Sequence, residues 1–132
     1  MRFIIDLIEN IREEVADSSD YTIYAGLLKS GEGDSLVYAG EAPLGSFDID
    51  NRDHSLVLRV DKSSPAIAIE DLVSSLLILD MKSMMYSLKI DINIENRDIE
   101  VVGFGKNIEE KKYFLFIKSR NLLTTLKAQQ PL

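Results

Sequence analysis

Two short stretches hold most of the side chains in this 132-residue chain whose types and spacing could do chemistry. "DIDNRDH", residues 48 to 54, brings together Asp48, Asp50, Asn51, Asp53 and the only histidine, His54. Forty-five positions later "NIENRDI", residues 93 to 99, repeats the [DE]-N-R-D core without a histidine. Carboxylates and imidazole are metal ligands, and Asp48 and Asp50 would share one face of a strand. A metal site, or a small enzyme or ligand pocket with Asp48, Asp50 and His54 at its rim, is therefore one reading. A calcium loop of the EF-hand kind fails on the residues, because Arg52 stands where the third ligand belongs and no glycine follows. The other reading is a repeated hairpin corner. Asn and Asp tolerate tight turns and hydrogen-bond their own backbone, and both copies sit between alternating segments. We expect two turns and no metal.

Other catalytic constellations are missing from the sequence. Without cysteine there is no thiolate nucleophile, disulfide or Cys-ligated zinc, and a single histidine has no identifiable serine partner. "GEGD", residues 31 to 34, leads into a strand and carries two acids, which does not suit phosphate. The basic C-terminal set (Lys106, Lys111, Lys112, Lys118, Arg120, Lys127) is diluted by Glu109 and Glu110, and Tyr113, Phe114 and Phe116 are expected in the core. Met81, Met84 and Met85 are expected there too, with adaptable protein contact as the alternative. No enzyme activity and no cofactor are expected.

The elements that position these residues can be read from periodicity. Ile4, Leu7, Ile8, Ile11 and Val15 define an amphipathic helix over about residues 2–16, which reads as structural rather than as a signal peptide. "YTIYAGLLKS" and "SLVYAG" form a hairpin across the glycines, and Pro43 and Gly45 are expected to break the chain before a third strand from Ser46 to Asp50. "HSLVLRV" makes the fourth. A long apolar second helix is expected from about Ile67 to Met85, capped by Ser63 or Ser64. "LKIDINIE" alternates without a fault, "DIEVVGFG" and "KYFLFIKS" follow, and a short helix is expected from Arg120 to Lys127. The expected fold is one α+β domain over 1–132, a single antiparallel sheet with two main helices on one face, in the order α-ββββ-α-βββ-α.

Charge carries what functional information remains. Residues 1–54 contain 12 acids against 4 bases, a balance of −8, whereas residues 55–132 balance to +1. A negative field repels nucleic acid and anionic membrane and attracts basic surfaces. No segment is apolar enough to suggest a membrane span, and a cytoplasmic protein is expected. The reading is a protein-binding module whose surface, drawn from Asp6, Glu9, Glu13, Asp17, Asp20, Glu32 and Asp34, docks on a basic protein partner as monomer or homodimer. In its size, acidity and lack of cysteine the chain resembles a bacterial immunity protein, which implies neutralisation of a cognate toxin such as a nuclease. Its order of helix, strands, apolar helix and strands also resembles a class I type III secretion chaperone, which implies a dimeric effector binder.

Overall fold

The computed structural model describes residues 2–15, 20–30, 32, 35–93 and 96–118. Helix α1 (Ile4–Glu14) is followed by strands β1 (Thr22–Ser30), β2 (Leu36–Asp50) and β3 (Ser55–Val60), helix α2 (Ile69–Leu76), a 3-10 turn (Ser83–Met85), and strands β4 (Ser87–Asp91), β5 (Ile99–Glu100), β6 (Gly103–Asn107) and β7 (Lys112–Lys118). The expected order fails at the second and third strands, which are one fifteen-residue strand, and at "DIEVVGFG", expected as one strand, which divides into β5 and β6 on opposite edges of the sheet. The expected last helix lies outside the described residues, as do Ile94 and Glu95 of the alternating strand.

Among the described residues seven strands form one sheet in the order β5-β4-β3-β2-β1-β7-β6. It is mixed rather than purely antiparallel, because β1 runs parallel to β7 and β3 parallel to β4. Both parallel pairs join strands separated by long stretches of chain, as parallel geometry requires. The sheet is also curled. Its two edge strands, β5 and β6, are joined by Val101 and Val102 alone. Three Cα steps reach about 11 Å at most, whereas the edges of a flat seven-stranded sheet would lie about 29 Å apart. The edges must therefore come together, and where they do Val101 N–H donates to the Leu88 carbonyl on β4 at 3.4 Å and Val102 N–H to the Phe116 carbonyl on β7 at 2.8 Å.

The bend is made in β2. Residues 36–43 pair with β1, while 44–50 pair with β3 across a register shift at Leu44/Ser46. Pro43 and Gly45 thus mark a corner inside a strand, a usual place for both residues. Gly45 packs under the next turn, since a Cβ there would lie 2.8 Å from the Asp61 Cβ. Where β1 and β2 part, the chain entering α2 fills the gap: Ile67 N–H donates to the Leu44 carbonyl, and Ile23 N–H to the Ile67 carbonyl, both at 2.9 Å. We call β5-β4-β3 with residues 44–50 the first half-sheet, and residues 36–43 with β1-β7-β6 the second.

Both helices bury into one core. Ile4, Leu7, Ile8 and Ile11 of α1 and Ile69, Leu72 and Leu76 of α2 meet Ile23, Leu27, Leu56, Leu58, Leu88, Ile90, Leu115 and Ile117. Helix α2 is much shorter than expected. Leu79 N–H turns back to the Leu76 carbonyl, and Asp80 Oδ1 accepts from both Ser83 N–H and Ser83 Oγ at 2.9 Å. That short polar side chain offers the backbone a turn in place of a further helical turn. As a result Leu77, Ile78, Met81 and Met85 are exposed, Met81 to 87%. Only Met84 of the three late methionines packs against the core.

Candidate functional site

The first [DE]-N-R-D copy is a hairpin corner between β2 and β3. Asp50 Oδ1 accepts from Arg52 N–H and Asp53 N–H, each at 3.0 Å, and His54 closes the turn with a φ of 51°. The His54 ring stacks on Tyr86, whose hydroxyl donates to Asn51 Oδ1 at 3.0 Å. Asp48 is elsewhere, paired with Arg59 at 2.6 Å, and Asp53 pairs with Lys89 at 2.8 Å, which holds its carboxyl below the ordinary range. The candidate ligands are thus turned to separate structural partners, and no group of three possible metal ligands occurs among the described residues. In the second copy Asp98 takes the positive φ, 56°, and donates its N–H to Asp91 Oδ1 at 2.9 Å.

The acids expected to face a partner are scattered. Asp6 Oδ2 accepts from Phe3 N–H at 2.8 Å, capping α1. Asp20 pairs with Lys111 at 2.7 Å. Glu9 and Glu13 on α1 and Glu32 on the hairpin are exposed, and Asp17 and Asp34 lie outside the described residues. Folding also undoes much of the charge asymmetry of the sequence. N-terminal acids meet C-terminal bases at Glu14–Lys106, Asp20–Lys111 and Glu41–Lys112.

A more concentrated site lies on the outer face of the second half-sheet. Along β7, Tyr113, Leu115 and Ile117 point into the core, so Phe114 and Phe116 point out by strand alternation. The two rings stack at 5.7 Å, and Tyr24 and Tyr38 pack against Phe114 at 6.3 and 5.9 Å. Phe116 lies flat over the neighbouring strands, because Gly26 on β1 and Gly105 on β6 leave it room. A Cβ at either would come within 2.6 Å of its ring. A bulge in β2 completes the arrangement. Leu27 faces Gly40 while Leu28 faces Tyr38, so Ala39 is an extra residue that brings Tyr38 and Glu41 to the same face although three apart. Gly40 supplies the φ of 153° that the bulge needs.

The result is an open groove of about 720 Å³, lined chiefly by Tyr38, Glu41, Phe114, Phe116, Ile108 and Glu110. Its polar end is a lysine between two acids: Lys112 Nζ is 3.0 Å from Glu41 and 2.7 Å from Glu110, and 4.7 Å from the centre of the Tyr24 ring. Glu110 and then Glu41 hold the ammonium well above its ordinary range. Glu41 Oε2 is enclosed and lies 3.0 Å from Lys112 Nζ. Burial, with the Glu41 charge second, pushes the Tyr38 hydroxyl up to about 12. Lys106 on the same wall is committed to Glu14. With one lysine shared by two acids and Glu109 exposed beside them, the groove has carboxylate in excess. By contrast, the exposed apolar turn at 77–85 has no convergent polar groups, since Asp80 is committed to Ser83.

Of Tyr113, Phe114 and Phe116, all expected in the core, the first two are buried and Phe116 is only partly covered; the sequence did not single out Glu41 or Glu110 as a site. The signal was present in "KYFLFIK", whose apolar residues fill both faces of the strand, and in glycines on the flanking strands. In comparisons with known proteins, no family model, curated protein or solved structure matches the chain. No helix among the described residues is long and apolar enough to cross a membrane.

Proposed function

We propose that the chain is a protein-binding module that docks on a basic protein partner through the groove of the second half-sheet, in the manner of an immunity protein that neutralises a toxin. The observation that carries this reading is the juxtaposition of the rings of Tyr38 and Phe116, backed by the enclosed Phe114, with the carboxylates Glu41 and Glu110 in one concavity. An aromatic face attracts a guanidinium or ammonium group, and adjacent carboxylates add ionic hydrogen bonds to it. Interfaces of this kind concentrate their energy in a few aromatic and charged anchors. The exposed acids Glu9, Glu13 and Glu32 contribute long-range attraction rather than contacts.

The test is association with basic proteins encoded by adjacent reading frames. Wild-type association should slow by at least about tenfold between low and a few tenths molar salt, as steered encounters do. Glu109→Lys with Glu110→Lys should speed dissociation, while Glu9→Lys with Glu13→Lys should slow association only. If neither pair nor added salt changes binding, the acidic surface serves solubility alone and this reading falls.

A further inference from the structure

The two stretches of β2 each pair on one side only. Among the described residues no strand pairs with the outward side of 36–42, nor with the β1 side of 46–50. The second of these free edges is guarded by Asp48 and Asp50, charges of the kind that discourage strand addition. The first has no such guard. Leu36, Val37 and Tyr38 are exposed to 48, 43 and 48%. Three consecutive residues of a strand point to alternate faces, so this exposure belongs to the edge and not to one face of the sheet.

We infer that this edge pairs antiparallel with the same edge of a second copy, about a two-fold axis through Val37. The register follows from the residues. With Val37 opposite the second copy's Val37, Leu36 falls opposite Tyr38 and Tyr38 opposite Leu36, so each cross-strand pair is apolar. The bulge at Ala39 ends the straight stretch that can pair on that side. Charge separates this seam from the groove. The chain carries a net −7, yet residues 35–40 contain no charged side chain. A basic partner would find no complement along the seam, whereas an identical apolar edge matches it. Two second half-sheets would then form one continuous sheet, four strands from each copy, with both Tyr38 grooves on the same side.

The experiment is sedimentation equilibrium of the full chain. A short edge of this kind predicts a dimer with a dissociation constant on the order of micromolar to tens of micromolar. Salt should strengthen it, because two negative chains repel, the opposite sign to docking of a basic partner. The salt response therefore keeps failure of this inference distinct from failure of the groove reading. Val37→Lys and Val37→Glu should each weaken the dimer by roughly tenfold or more, with folding checked by circular dichroism. An equimolar mixture of the two variants should dimerise again, because only a residue on the axis meets its own counterpart. A wild-type monomer up to about millimolar concentration, well above that range, overturns the inference. So does a dimer indifferent to Val37→Lys, or a mixture that stays monomeric.

Discussion

The two half-sheets share a strand and a core but cover their outer faces in different ways. On the first, Asp48–Arg59 and Asp53–Lys89 form ion pairs across the surface, and Val57, directly opposite Asp48 in the ladder, is 6% exposed beneath them. Long charged side chains cover apolar surface with their stems while their heads stay in water. On the second, the cover is aromatic, with one lysine and its two acids at the end of the groove. Water already satisfies the first face. The second leaves rings and carboxylates in a concavity that another molecule can fill, and this difference is why the functional reading rests there.

The sharpest test of that contrast is Phe114→Ala. Phe114 is 7% exposed because Tyr24, Tyr38 and Phe116 enclose it, so its removal should cost about 3 kcal/mol in denaturant unfolding, near the lower end for buried phenylalanine. A cost below 1 would mean that the rings support no structure and serve binding alone. A smaller effect is expected from pH. Tyr38 is raised to about 12 in the folded chain against an ordinary 10, so the neutral phenol is favoured by folding. The stabilisation is complete below pH 10 and lost as pH rises towards 12. Tyrosinate absorbance of wild type minus Tyr38→Phe should show the delayed titration, and Glu41→Gln should bring it only part of the way back, since burial is the larger cause. Ionisation near 10 would place the Tyr38 hydroxyl in open water and make the two faces alike.

Legibility in the sequence followed the same divide. The helical spacing of α1, the alternation of β4 and the first NRD corner were readable because local spacing and local hydrogen bonds determine them, whereas the second NRD follows a bridge between Asn93 and Asn96 rather than forming the corner itself. Asp50 caps its own turn within three residues. The parallel β1–β7 pairing was not readable, because its partners lie ninety positions apart, Thr22 opposite Lys112. The groove depends on that pairing, since it sets Phe114 beside Tyr24, and on a one-residue bulge that periodicity does not reveal. Helix α2 was overestimated for a related reason. Apolar residues from 77 to 85 satisfy helix propensity, yet one aspartate, Asp80, ends the run by bonding Ser83.

The smallest expected effect bears most directly on the first half-sheet. Asp48 and Arg59 approach to 2.6 Å, but their side chains are 67 and 42% exposed, so water screens the pair and two long side chains lose rotamer freedom in forming it. A double-mutant cycle with Asp48→Ala and Arg59→Ala should give a coupling of about 0.2 to 1 kcal/mol, the range for exposed pairs. Arg59→Ala alone should cost somewhat more than Asp48→Ala, because its stem also leaves Val57 less covered. If the coupling instead reached 2 kcal/mol or more, beyond what exposed pairs supply, the ion pairs would be a structural lock comparable with the aromatic cover. The contrast between a wall that water completes and a wall that waits for a partner would then fail from its quieter side.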